Sequence, residues 1–149
     1  MRRWRWSDDS GTASLEFVSV GVLLLVPVVY LVLVLAQVQA GALAVEGAAR
    51  QAVRVYVQSS SPAEGSVAAQ RALAFALDDH GLDASAARLG IACEARGDGC
   101  LRRAATVTVT VSTTVPLPLV PPVLDVETPL GVPLEAQATQ QVSRFWSGE

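Results

Sequence analysis

Histidine occurs once in this chain of 149 residues, at His80, and cysteine twice, at Cys93 and Cys100. A structural zinc site needs about four ligands, so this supply excludes one. The two cysteines flank Glu94-Ala95-Arg96-Gly97-Asp98-Gly99, a wider spacing than the C-x-x-C of dithiol oxidoreductases. A structural disulfide across a turn is favoured over two free thiols. Closing so short a loop contributes about 2–3 kcal/mol in the chain-entropy account and requires an oxidising compartment. Lysine is missing altogether, since all 11 basic residues are arginine, and the net charge is −3. That balance leaves no electrostatic footprint for nucleic acid. A Ser/His/Asp order with supporting context, a Gly-rich phosphate loop and a ligand cluster are also lacking. Glu46, Glu64 and Asp125 are scattered carboxylates. Asp78, Asp79 and His80 are neighbours that point to different sides of a helix, which reads as a solvated helix end. The chain is expected to have no catalytic residues, no metal and no cofactor.

What the sequence does have is a long apolar run. Half of the residues are apolar, and the excess lies between Leu15 and Val38. Residues 17–36 read FVSVGVLLLVPVVYLVLVLA, without a charge. At 1.5 Å per residue such a helix spans about 30 Å, the hydrocarbon thickness of a bilayer. Pro27 inside it should bend the helix, which membrane helices tolerate. A domain this small could hardly surround such a run on all sides, so one membrane-spanning helix is expected. Arg2, Arg3 and Arg5, interleaved with Trp4 and Trp6, precede it, against Arg50 and Arg54 well beyond its other end. By the positive-inside rule the N-terminus is cytoplasmic and the C-terminal portion outside, where the cysteines can be oxidised.

The helix should continue through residues 37–58, which lack proline, are rich in alanine, and place Leu43, Ala44, Val45, Ala48, Ala52, Val55 and Tyr56 at apolar positions. Glu46 and Arg50 are spaced for a helix-surface pair, and Ala40, Gly41, Ala44, Gly47, Ala48 and Ala52 are small enough for close packing. Ser61 followed by Pro62 is an N-cap signal. It predicts a second helix over residues 62–80, with Val67, Leu73, Ala76 and Leu77 toward a core and Gly81 at its end. Beyond it the pattern is that of strands. Residues 87–94 form one candidate, followed by a Gly97-Asp98-Gly99 turn. Residues 105–115 alternate Val107, Val109 and Val111 with Thr106, Thr108 and Thr110. Pro116, Pro118, Pro121, Pro122 and Pro129 argue for a loop. Val132, Leu134, Ala136 and Ala138 resume the alternation, with Pro133 marking an edge strand. The fold class is α+β: a long N-terminal transmembrane helix running into a small exterior domain with a second helix and an antiparallel sheet. The organisation is a basic leader (1–11), the helix with its extension (12–60) and the exterior domain (61–149).

Gly11-Thr12-Ala13-Ser14-Leu15-Glu16-Phe17 leads into the apolar run. A charged Glu16 at the mouth of a membrane helix is unfavourable unless paired or held at the interface. A short basic leader, Gly, four residues, Glu, an aromatic residue and then the apolar helix resembles a prepilin signal, and the Glu-Phe pair resembles its type IVb (Flp-like) subset. With the helix running into VQAGALAVEGAARQAVR and the exterior Val/Thr strand beside a cysteine pair, the chain resembles the TadE-like family, pseudopilin-type components of tight-adherence (Tad) pilus systems. The specific part of the likeness covers about 40 residues.

The resemblance implies cleavage by a membrane-embedded prepilin peptidase between Gly11 and Thr12, leaving the helix attached. It also implies partnership with other pilin or Tad-system subunits at the bacterial cell surface. The exterior domain favours a minor subunit over a simple Flp pilin. Thr12 departs from the Phe that follows the cut in many type IV pilins, which leaves methylation of the new terminus open. Two alternatives stand beside this reading. One is an anchored or secreted exterior domain of unknown partner. The other is an ordinary signal peptide cut after Ala44, since Ala42-Leu43-Ala44 fits A-x-A, although the apolar run exceeds the usual h-region.

Overall fold

The computed structural model describes residues 12–94, 100–118 and 131–147. Helix α1 spans Thr12–Gln58 and α2 spans Pro62–Asp78. A single 3-10 turn at Ala84–Ala86 follows, then strands β1 (Arg88–Cys93), β2 (Thr106–Pro116) and β3 (Gly131–Gln141). The arrangement is α+β, as the sequence pattern predicts. Contacts divide the chain into two compact units, Met1–Leu35 and Ala36–Glu149, so the division falls inside α1.

In the second unit the three strands form an antiparallel sheet in the order β1-β2-β3. The central strand β2 is the one with the strictest Val/Thr alternation, because it alone packs strands on both sides. Its Val107, Val109, Val111 and Val115 are fully buried, each worth about 1.5–3 kcal/mol of apolar burial. They lie opposite Gln140, Ala138, Ala136 and Val132 of β3, and the first three also face Cys93, Ile91 and Leu89 of β1. β1 is one residue shorter at each end than the expected 87–94 and β2 starts one residue later than expected, while β2 runs on to Pro116, paired with Gly131, and β3 to Gln141. Pro133 sits in an edge strand, as its missing N–H requires. The Gly97-Asp98-Gly99 turn, Pro121, Pro122 and Pro129 lie outside the described residues.

The same core cluster takes in Ala44, Val45, Ala48, Ala49, Ala52, Val53, Tyr56 and Val57 of α1 and Ala69, Leu73 and Leu77 of α2. Small side chains on α1 let the helix come close to the sheet. At Gly41 an added Cβ would stand 2.5 Å from Val115 Cγ2 and 3.1 Å from Leu134 Cδ1. Leu43, expected among the apolar contacts, is instead 65% exposed, because the buried residues 41, 44, 45, 48, 49 and 52 lie on the other side of the helix. Glu46 and Arg50 form the predicted ion pair on the surface.

Helix α2 starts where the Ser61-Pro62 signal places it. The Ser61 hydroxyl accepts from the Glu64 N–H at 3.3 Å, and Ser60 donates to the Glu64 carboxylate at 2.5 Å. The helix stops at Asp78, two residues short of the expected His80. Leu82 N–H bonds back to the Leu77 carbonyl at 2.9 Å, with Gly81 in the left-handed region at φ 66°. This left-handed close ends the helix by satisfying its last carbonyls. Leu73 and Leu77 face the core and Ala76 packs against it, but Val67 is 51% exposed. The buried row is Gly65, Ala69, Leu73 and Leu77, at i, i+4 spacing, which leaves position 67 on the opposite side. Gly65 belongs to this row because a Cβ there would lie 2.9 Å from the Tyr56 ring. The C-terminal segment returns to the helices: Trp146 Nε1 donates to the Ser59 carbonyl at 3.0 Å, and Arg103 Nε donates to the Trp146 carbonyl at 3.0 Å.

Candidate membrane helix and processing segment

Among the described residues α1 is the helix long and apolar enough to cross a membrane, and none of its apolar window is buried. Leu23, Leu24, Leu25, Val26 and Val28 are all more than half exposed, and the residues on every side of the helix are apolar. Among the described residues none packs around this stretch. Ser19 donates its hydroxyl to the Leu15 carbonyl at 2.7 Å, so its polarity is satisfied within the helix. Pro27 lies inside the helix, where it removes one ladder bond to the carbonyl four residues earlier.

The residues expected to govern processing are grouped at the start of this helix. Gly11 lies outside the described residues, as do Arg2, Arg3 and Arg5. Thr12 is the first described residue of α1. Glu16 is exposed, and Phe17 is 80% exposed. Thr12 and Glu16 are four apart, so the two positions share one side of the helix, one turn from each other. The first turn of α1 itself carries no acidic residue.

Cys93 and Cys100 form a disulfide with Cα atoms 5.4 Å apart. It closes the end of β1, beside buried Leu101, and both cysteines pack against the core. The pair ties the strand end to the segment leading into β2, which is a structural task. Two displaced titrations also lie in the second unit. Burial raises the Tyr56 hydroxyl above its ordinary value, and the Ser85 side-chain and backbone hydrogen bonds lower the Asp83 carboxyl. Each belongs to packing or capping: Tyr56 sits under Gly65, and Asp83 caps the 3-10 turn. Among the described residues no group of His, Cys, Asp or Glu could hold a metal ion.

Reading the sequence alone missed the contact of Gly41 with β2 and β3 and the internal hydrogen bond of Ser19. The run of small residues from Ala40 to Ala52 is the only linear sign of the first. Serine spaced four residues after a leucine carbonyl carries no sign of the second. Comparison with known protein families, curated proteins and solved structures finds no match.

Proposed function

We propose that the chain is a minor, pilin-like structural subunit of a Tad-type pilus or secretion assembly, matured by prepilin peptidase after Gly11. In this reading α1 spans the membrane once, its N-terminus is cytoplasmic, and the α+β domain lies outside. The observation that carries it is Glu16, an exposed carboxylate at the mouth of the unburied apolar stretch of α1, one turn from Thr12.

A charge in that position is costly in lipid unless something neutralises it. Cleavage after Gly11 supplies the partner by converting the Thr12 nitrogen into an α-ammonium. In a bundle of such helices Glu16 of one subunit neutralises the ammonium of its neighbour. An unpaired buried charge costs on the order of several kcal/mol, so the pair sets axial register as well as adding attraction. The disulfide supports the outside placement of the second unit, since such bonds persist in oxidising compartments. A signal-peptidase cut after Ala44 fits less well. It would remove Gly41 and Ala44, both buried against the core of the second unit.

Gly11→Leu and Glu16→Ala separate processing from assembly. Glycine lets a peptidase hold extended backbone closely, so Gly11→Leu is expected to accumulate uncut. Glu16→Ala is expected to be cut yet fail to co-purify with partner pilins. Mass spectrometry of the mature terminus should find Thr12 as the first residue. A start at Val45, or normal maturation of Gly11→Leu beside an active prepilin peptidase, overturns the reading and leaves an anchored domain.

A further inference from the structure

The outer face of the sheet, turned away from the helices, is polar and almost uncharged. Along β2 it presents Thr106, Thr108, Thr110, Ser112 and Thr114, with Gln137, Thr139 and Gln141 beside them on β3. Thr108 and Thr139 hydrogen-bond to each other across the strands at 2.9 Å. Charge enters this face in a single row. Arg88 of β1 lies opposite Ser112, and Ser112 lies opposite Glu135 of β3. A cation, a hydroxyl and an anion therefore stand in line across three strands. With strands about 4.8 Å apart, the two ends are roughly 10 Å apart at Cα.

The row forms part of a concavity of about 350 Å³, with Ala86 and Arg88 on one side, Ser112 and Thr114 at its floor, and Pro133 and Glu135 on the other. That volume lies within the range of small-molecule sites, about 300–1,000 Å³. The charges are not spent on one another. Among the described residues the ion pair found is Glu46–Arg50, and neither Arg88 nor Glu135 has a side-chain hydrogen bond or ion pair. The short Ser112 side chain between them keeps the middle of the row open.

We infer that this pocket binds a small zwitterion, a molecule with a carboxylate and an ammonium group held several ångström apart on an aliphatic chain. The guanidinium of Arg88 takes the carboxylate in bidentate fashion, and the Glu135 carboxylate takes the ammonium. Each charge-assisted hydrogen bond spans about 2.8 Å, and the two ends of the row are roughly 10 Å apart at Cα, so a ligand that meets both must carry its two charges well separated. Pro133 and Ala86 offer apolar contact to the methylenes, and Ser112 and Thr114 offer hydroxyls below them. Exposed charges attract weakly in water, so selectivity comes from meeting both at once. A lone anion is repelled by Glu135, and a lone cation by Arg88. The site is independent of the maturation of the N-terminus.

The test is an NMR titration of the full-length chain in neutral detergent micelles with 6-aminohexanoate, hexanoate and hexylamine. The zwitterion is expected to shift the amides of Arg88, Ser112 and Glu135 and to bind roughly fivefold more tightly than either single ion. Arg88→Ala and Glu135→Ala should each remove that preference without lowering the melting temperature. The double exchange R88E/E135R should restore it with the ligand reversed. Equal affinity for the three probes, shifts confined to other residues, or a double exchange that binds no better than the single variants would overturn the assignment.

Discussion

Helix α1 contains two regions with opposite rules. In its first half, large side chains such as Leu24 and Phe17 are the exposed ones and no protein covers them. In its second half, large apolar side chains are few on the surface, and the buried positions are filled by alanine, with Val45, Val53, Tyr56 and Val57 between. The first region shows a helix whose apolar surface the rest of the chain leaves uncovered. The second shows a helix shaped by a solid neighbour, where side-chain volume is limited by the distance to the sheet. Hydrophobicity alone describes the first region; steric fit describes the second.

A pair of leucines breaks or sharpens that contrast most strongly. Leu24 is 64% exposed and Leu43 is 65% exposed, on the same helix. Arg at the centre of a membrane helix costs about 2.5–3.5 kcal/mol in insertion. Leu24→Arg is expected to release much of the protein from the carbonate-resistant membrane fraction, whereas Leu43→Arg is expected to leave it there. Identical fractionation of the two variants would show that the halves do not meet different solvents.

A pair of glycines comes next. A Cβ added at Gly21 would meet nothing within 4 Å, while one added at Gly41 would run into Val115 and Leu134. Gly41→Leu is expected to lower the stability of the second unit by about 1–3 kcal/mol through overpacking, read as a lower melting temperature in near-ultraviolet circular dichroism. Gly21→Leu should leave that transition where it is. A similar effect follows from removing the disulfide. Cys93→Ser with Cys100→Ser is expected to cost about 2–3 kcal/mol, again in the second unit only, and an unchanged melting temperature would show that the bond restrains little.

The smallest effect is acid dependence at Asp83. Its carboxyl is lowered from an ordinary 3.8 by the hydrogen bonds of Ser85, the side-chain one first. A depressed carboxyl adds stability above the unfolded value, and loses it as pH falls through the folded one. Melting of the wild type should therefore decline in the window below about pH 4 by slightly more than that of Asp83→Asn, which has no such proton to gain. Parallel pH profiles would remove Asp83 from the acid response.

Much of this was legible in the linear order of residues. The apolar run at 17–36, the Ser61-Pro62 cap, the Val/Thr alternation of β2 and the edge position of Pro133 are local signals, each set by neighbours within a few residues. The Cys93–Cys100 pairing was legible too, since the two cysteines have no competing partner in the chain. The proposed processing segment at Gly11, Thr12, Glu16 and Phe17 rests on the sequence alone, on its spacing against the apolar boundary.

What only the tertiary structure decided is which of several similar positions faces the core. Val67 and Leu43 fit an apolar reading as well as Ala69 and Ala48 do, yet the first two are exposed and the second two are buried. Periodicity defines a helix side but leaves its rotation open, and rotation is set by which side chains are small enough to lie against Val115, Leu134 and the Tyr56 ring. The line of Arg88, Ser112 and Glu135 has the same origin. Its members are 24 and 23 residues apart in sequence, and only strand register, a product of long-range pairing, brings them into one row.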